Sequence, residues 1–110
     1  MAAAVAAAQA GNVICLRDGV YTEAFVPRTN GTAGAPITVR ALNDGKVTID
    51  GQGVRKTVDL QRDYWVVEGI VARNGLDNVF RVDGNNNVLR RVSAYDASDD
   101  INSSVIMLLG

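Results

Sequence analysis

The sequence predicts an all-β protein, a right-handed parallel β-helix (a solenoid) of about four coils with a short helical cap at its N-terminus. Three observations predict this fold. The segment at 64–74 recurs at 86–96, short β-branched runs alternate with Gly, Asn and Asp, and no long amphipathic helical pattern follows Ala10. A repeat of this length without a helix in each unit is typical of strands that stack coil upon coil.

The N-terminal residues 1–10 are rich in alanine, which favours a helix, and Gly11 is a suitable residue to end it. The stretch lacks the basic start and the long apolar core of a signal peptide. We therefore predict a helical cap at residues 1–11 and the first coils of the β-helix at residues 12–110, truncated at the C-terminal end. Cys15 lies in the apolar run 13–16, which favours a buried thiol in the core.

The repeat is clearest where residues 64–74 (YWVVEGIVARN) align without gaps with residues 86–96 (NNVLRRVSAYD). The step from 64 to 86 is 22 residues (86 − 64), and we call it the main spacing. If the coils stack, residues related by this spacing lie about 4.8 Å apart in neighbouring parallel strands. Two further matches have other spacings, a shorter one from 48–51 to 66–69 and a longer one from 80–82 to 106–108. The longer spacing indicates a loop that lengthens near residues 97–104 while the strands keep their register.

The main spacing also predicts which side chains are neighbours. On the outer surface we expect Glu68 beside Arg90 as an opposite-charge pair, and Arg73 beside Tyr95, where a guanidinium can lie over a ring. Facing the core we expect the pairs Val58 with Phe80, Leu60 with Val82, Ile70 with Val92 and Ala72 with Ala94. The short strands leave an antiparallel β-sandwich open as an alternative, whereas a leucine-rich repeat would need several leucines and a ladder asparagine that no repeat here shows.

The charge balance and the missing residue types exclude several classes of function. With 11 basic and 12 acidic residues and no block of like charge, the chain is not expected to bind nucleic acid or a membrane surface. No segment approaches the roughly 20 apolar residues of a membrane span. Because the sequence contains no histidine, Ser-His-Asp and Cys-His catalysis and histidine metal sites are excluded within this chain.

Four outward residues are candidates for substrate binding, namely Arg73, Arg90, Arg91 and Tyr95. A guanidinium offers a forked contact to the carboxylate of an acidic sugar. The competing interpretation is a ladder of solvated side chains on the outer face of the strands.

The acidic residues Asp96, Asp99 and Asp100 are candidates for calcium ligands, because oxygen-rich loops are what calcium prefers. A solvated turn is the favoured interpretation, since no bidentate Glu or EF-hand spacing is present. Lys46 and Lys56 are the only lysines, and neither lies near several candidate calcium ligands in the repeat register. We therefore predict no metal site and no catalytic residue within this chain.

Four segments resemble the N-terminal coils of right-handed β-helix polysaccharide lyases of the chondroitinase B and alginate lyase type. They are RDGVY at 17–21, APITVRA at 35–41, GKVTIDG at 45–51 and WVVEGI at 65–70. Their order and spacing match over roughly residues 8–95. The resemblance implies a secreted or cell-surface protein with a polysaccharide as its partner. Members of that family eliminate across a uronic acid: a calcium ion neutralises the substrate carboxylate, a Lys abstracts the proton and an Arg assists.

The resemblance also implies that those catalytic residues lie in the middle coils of a longer helix, and no position of this chain matches their pattern. We therefore expect the N-terminal part of a carbohydrate-active protein that is inactive alone, with calcium possible in the full-length parent. The alternative is a non-catalytic β-helix module for binding or structure in a cell-surface protein. The apolar end at 105–109 and an unpaired strand edge predict self-association through the open C-terminal coil.

Overall fold

The structure, a computed structural model, describes residues 1–76, 78–95 and 104–108. In these residues the chain forms one short helix and eleven short strands, rich in the β-branched residues that fit a pleated sheet. Their bounds are α1 (Ala2–Ala7), β1 (Val13–Leu16), β2 (Gly19–Tyr21), β3 (Ile37–Ala41), β4 (Val47–Asp50), β5 (Val58–Leu60), β6 (Trp65–Glu68), β7 (Ile70–Arg73), β8 (Asn78–Val82), β9 (Val88–Arg90), β10 (Ser93–Tyr95) and β11 (Ser104–Leu108).

These strands pair with one another only in parallel and form three sheets. Sheet I has the order β1-β3-β6-β9, sheet II β2-β4-β7-β10 and sheet III β5-β8-β11. The chain visits sheets I, II and III in turn and then returns to sheet I one strand further along, so it winds as a solenoid. Three coils with a strand in every sheet follow a partial coil in which Phe25 bridges Val58. The predicted parallel β-helix is confirmed, and the antiparallel sandwich is wrong.

The strand register confirms the main spacing and the longer one. Phe80 lies beside Val58, as the main spacing predicts, and Ile106 lies beside Phe80, as the longer spacing predicts. The shorter spacing is wrong, because Thr48 lies beside Val71 in β7 rather than beside a residue of β6. The sequences of β4 and β6 are similar because a glycine at a corner of the solenoid follows each of them. The two strands do not stack on each other.

Alternate side chains of the strands point into the solenoid and form one apolar core. The strand residues that are fully buried are Ile37, Val39, Val47, Ile49, Val58, Leu60, Trp65, Val67, Ile70, Ala72 and Phe80. Within this core Phe25 and Trp65 contact each other edge to face, with ring centroids 5.8 Å apart and planes at 78°. Val5 and Ala8 belong to the same core, so helix α1 packs onto the coils. In the part of the chain that the structure describes, no helix is long and apolar enough to cross a membrane.

The prediction of a buried thiol at Cys15 is wrong. Side chains of β1 alternate between the two faces, so Ile14 and Leu16 face the core while Val13 and Cys15 are exposed. A run of four apolar residues cannot place all of its side chains on one face of a strand. The Cys15 sulfur instead accepts a hydrogen bond from Nε of Arg40 at 3.5 Å on the outer surface of sheet I.

The corner between sheets I and II has left-handed residues at stacked positions, Gly69 with φ 72° and Arg91 with φ 50°. A side chain at Gly69 would clash with the carboxyl group of Asp44, so the glycine leaves the space in which that carboxyl group lies. The left-handed conformation costs a residue with a side chain roughly 1–2 kcal/mol. Contacts of the Arg91 side chain must therefore offset the conformational cost at this position.

Candidate functional site

Arg90 and Arg91 converge on one carboxylate. Nη1 of Arg90 lies 3.3 Å from Oε1 of Glu68, and Nη2 of Arg91 lies 3.4 Å from Oε2. Nε of Arg91 also donates to Oδ2 of Asp44 at 2.8 Å. With Arg40, which lies beside Glu68 in the register, these residues form what we call the Glu68 cluster. The predicted pair of Glu68 and Arg90 is confirmed.

The Glu68 cluster joins three coils on the outer surface of sheet I. Its members are Arg40, Asp44, Glu68, Arg90 and Arg91, so three guanidiniums face two carboxylates. The Glu68 side chain is only 17% exposed, whereas those of Arg90 and Arg91 are each 58% exposed. A hydrogen bond to the Cys15 side chain, together with the charge of Glu68, raises the pKa of Arg40. The cluster thus presents the guanidiniums of Arg90 and Arg91 to solvent, whereas the Glu68 carboxylate is largely covered and that of Asp44 is about half exposed.

Arg73 and Tyr95 belong to a second group, which we call the Asp50 ladder because Asp50, Arg73 and Tyr95 are register partners in sheet II. Nε of Arg73 donates to Oδ2 of Asp50 at 3.0 Å, and Nδ2 of Asn74 donates to Oδ1 at 3.1 Å. Hydrogen bonding to the Tyr95 side chain, and then to Asp50, raises the pKa of Arg73. Arg73 and Tyr95 are thus neighbours in sheet II, as the main spacing predicts.

The structure brings the four predicted binding residues together as two pairs. Arg90 shares Glu68 with Arg91, and Arg73 lies beside Tyr95 in the strand register. Among residues 1–76, 78–95 and 104–108, no hydrogen bond or ion pair links one pair to the other. Each arginine of the two pairs forms an ion pair with an Asp or Glu side chain of this chain. Their role in substrate binding stays a prediction.

Sequence reasoning missed Asp44 as a partner of Arg91. The two residues lie on coils that are not adjacent, so the main spacing does not relate them. The only signal in the sequence is the position of each residue next to a corner between strands. The two residues are 47 positions apart, slightly more than twice the main spacing. A search for opposite charges near that separation would have found the pair.

Metal binding by this chain has no support in the described part of the structure. There, no group of three or more His, Cys, Asp or Glu side chains is placed so that it could hold a metal ion. The candidates Asp96, Asp99 and Asp100 lie outside the described residues. The calcium ion that the resemblance implies belongs to further coils of the full-length parent, and its presence there stays a prediction.

Asp50 makes the stability of the fold depend on pH. The backbone N–H of Gln52, at 2.8 Å from Oδ1, is the main cause of a lowered pKa of Asp50, and the side chains of Asn74 and Arg73 act in the same direction against the effect of burial. Because the folded-state pKa lies below the unfolded one, the stabilisation is complete above the ordinary aspartate pKa of about 3.9. It is lost as the pH falls through the lower folded-state value.

We therefore expect Asp50→Asn to flatten the acid side of the stability curve. Thermal unfolding of the wild type and of Asp50→Asn, measured from about pH 5 to about pH 2, should show a smaller decrease of Tm in the variant. Asp18→Asn, which changes an exposed carboxylate in the first coil, is the matched control. Equal decreases in the wild type and Asp50→Asn would contradict the assignment.

Comparison with known proteins supports a relationship to polysaccharide lyases. The family model of Chondroitinase B matches residues 1–106. The solved structure of the PL6 family polysaccharide lyase Pedsa3628 from Pseudopedobacter saltans superposes with a TM-score of 0.65 and 23% sequence identity, over 82% of this chain and 21% of that chain. Comparison with curated protein sequences gave no match.

The two positive comparisons carry different information. At 23% identity the likeness to the Pseudopedobacter lyase shows a shared β-helix fold, and this chain spans about a fifth of the length of that protein. The family model, in contrast, extends over almost every residue of the chain, including the corner at Gly69 and both charged groups described above. The chain therefore belongs to the chondroitinase B family.

Proposed function

We propose that this chain supplies the N-terminal coils of a secreted polysaccharide lyase that acts on an anionic, uronic-acid polysaccharide, and that it is inactive alone. The observation that supports the proposal is the family match over residues 1–106 together with a solved lyase of the same fold. Since the chain corresponds to 21% of that lyase, the proposed catalytic residues lie on further coils. The role of this segment is then to begin the solenoid and to fix the register in which later coils stack.

A chimaeric enzyme tests this role. The coils of the Pseudopedobacter lyase that superpose on this chain are replaced by residues 1–95. Cleavage of a uronic-acid polysaccharide is then followed by the ultraviolet absorbance of the unsaturated product. We expect product from the chimaera and from the unchanged lyase, and none from the chain alone, since its coils resemble those of the lyase but carry no predicted catalytic residue.

Two outcomes of this experiment would contradict the proposal. Product from the chain alone would place catalytic residues within these coils. A chimaera that unfolds cooperatively on heating but forms no product would favour the alternative of a non-catalytic β-helix module. Circular dichroism of each protein separates a failed fold from a failed function.

We also propose that the chain self-associates through its C-terminal coil. In the described residues, β9 and β10 each have a neighbouring strand on one side only. The inward residues Leu89 and Ala94 are only partly buried, whereas Val67 and Ala72, which lie beside them in the coil below, are fully buried. Unpaired backbone groups and a half-covered apolar layer favour pairing with a second copy.

A lysine that points inward at this end of the solenoid is expected to prevent the association. Sedimentation at increasing concentration should show masses above the monomer for the wild type and for Ser93→Lys, which adds the charge on the outer face. Ala94→Lys directs the charge inward at the open end and should remain monomeric. A monomeric wild type at every concentration would contradict the proposal, and circular dichroism checks that Ala94→Lys folds.

A further inference from the structure

A cleft of ≈ 230 Å³ opens beside sheet III, away from the residues that sequence reasoning selected. Its lining residues are Val26, Pro27, Arg28, Asp59, Gln61 and Arg62. Asp59 points outward from β5, and the segment that follows Phe25 forms the other wall, because the Phe25 backbone pairs with β5 through hydrogen bonds to Thr57 and from Asp59. Two successive coils thus build the cleft, so the fold fixes its shape.

The guanidiniums of this cleft differ from those of the Glu68 cluster and the Asp50 ladder. Within the described residues, no carboxylate lies within ion-pair distance of Arg28 or Arg62. Nη1 of Arg62 donates only to the backbone oxygen of Gln61, at 3.1 Å. Arg73, Arg90 and Arg91, in contrast, are each bound by Asp or Glu. The cleft therefore holds two positive groups that are available for an acidic ligand.

The one carboxylate in the cleft is already occupied. Nε2 of Gln61 donates to both oxygens of Asp59, at 3.0 and 3.1 Å. Arg81 is the register partner of Asp59 in the next coil, but its Nη2 lies 3.5 Å from Oδ2 of Asp83, so this guanidinium is already paired. The two guanidiniums that line the cleft outnumber its single carboxylate, so the lining carries a net positive charge.

We propose that this cleft binds an acidic sugar unit of the polysaccharide, with Arg28 and Arg62 donating to its carboxylate. Val26 and Pro27 offer an apolar wall for the C–H face of the sugar ring. Guanidiniums suit this role because their donors match the two oxygens of a carboxylate. The inference rests on the proposed function, since it assumes an acidic polysaccharide, and it assigns the contact to residues outside the predicted set.

The test compares three double variants that each remove two positive charges. Binding of alginate oligosaccharides, which consist of uronic acids, is measured by titration calorimetry, with dextran oligosaccharides of equal length as the neutral probe. Arg28→Ala/Arg62→Ala alters the cleft and Arg90→Ala/Arg91→Ala alters the Glu68 cluster. Arg17→Ala/Lys46→Ala alters two exposed residues of the first coils that do not line the cleft.

We expect the wild type to bind alginate and not dextran, with an affinity that falls as salt is added. The cleft variant should bind at least about tenfold more weakly, because charge-assisted hydrogen bonds are lost, while the other two variants bind as the wild type does. If the Glu68 cluster variant alone loses binding, the cleft assignment is overturned and the proposed function stands. A wild type that binds neither probe also overturns the assignment, whereas the chimaera decides the proposed function independently.

Discussion

Replacing Trp65 with alanine is expected to destabilise the fold by about 3–5 kcal/mol. The indole is fully buried, meets Phe25 edge to face, and donates through Nε1 to the backbone oxygen of Thr29 at 2.8 Å. Loss of a buried tryptophan removes its apolar contacts and leaves a cavity, which costs about 3–5 kcal/mol. Small domains have a total stability of about 5–15 kcal/mol, so the loss is a large part of what this chain has.

Thermal and urea unfolding followed by circular dichroism measure the effect. The matched control is Val66→Ala, since Val66 is the next residue of β6 but points outward and is only partly buried. We expect the control to lose much less stability than Trp65→Ala. Trp65→Phe keeps a ring in the core and should fall between them. A Trp65→Ala variant with the unfolding midpoint of the wild type would show that the core is not organised around this side chain.

The second large effect is expected at Gly51, the corner residue after β4. A methyl group there would clash with the backbone oxygens of Arg55 and Asn74, and neither oxygen can move as a side chain could. The Gly51 N–H also donates to the backbone oxygen of Arg73 at 3.0 Å, so the coils approach closely at this corner. We expect Gly51→Ala to cost about 3 kcal/mol, the upper part of the range for overpacked sites.

Gly34 provides the control for this prediction. An added methyl group at Gly34 meets no other atom within 4 Å, so Gly34→Ala should leave stability nearly unchanged. Urea unfolding of both variants against the wild type gives the two free energies of unfolding. Equal values for Gly51→Ala and Gly34→Ala would mean that the coils do not approach at the Gly51 corner as described.

The fold could be predicted from the sequence because a solenoid repeats its neighbours at a nearly constant spacing. The match of residues 64–74 to residues 86–96 predicted the register of β6 with β9 and of β7 with β10, which the structure confirms. The main spacing fails in the earlier coil, where Thr48 of β4 pairs with Val71 of β7 rather than with Ile70. Similar sequences before two different corners concealed this pairing.

The candidate site was less predictable, because charge partners need not follow the repeat. The pair of Glu68 and Arg90 follows it and was found, whereas Asp44 reaches Arg91 across two coils and was missed. The cleft was missed for a related reason. Arg28 lies in the segment between Phe25 and β3, which has no counterpart in the repeat, so only the folded chain brings it to Arg62.

The central claim is that successive coils stack in parallel with the register described above. The formation of an engineered disulfide between two stacked coils tests this claim most directly. In a chain with Cys15→Ser, the double variant Val71→Cys/Ser93→Cys places two thiols at register partners of β7 and β10, on successive coils. Neighbouring parallel strands are about 4.8 Å apart, within reach of a disulfide. The control Val71→Cys/Tyr95→Cys moves one thiol to the next outward position along the strand, to a Cα separation of about 8 Å, too far for a bond.

Mild oxidation followed by mass spectrometry of the digested chain detects the bond. We predict a rapid intramolecular disulfide in Val71→Cys/Ser93→Cys and little in Val71→Cys/Tyr95→Cys. Such a result would fix the coil register on which the charged clusters, the cleft and the relationship to the lyase fold all depend. Equal disulfide formation in the two variants, or formation only in the control, would contradict the stack of parallel coils.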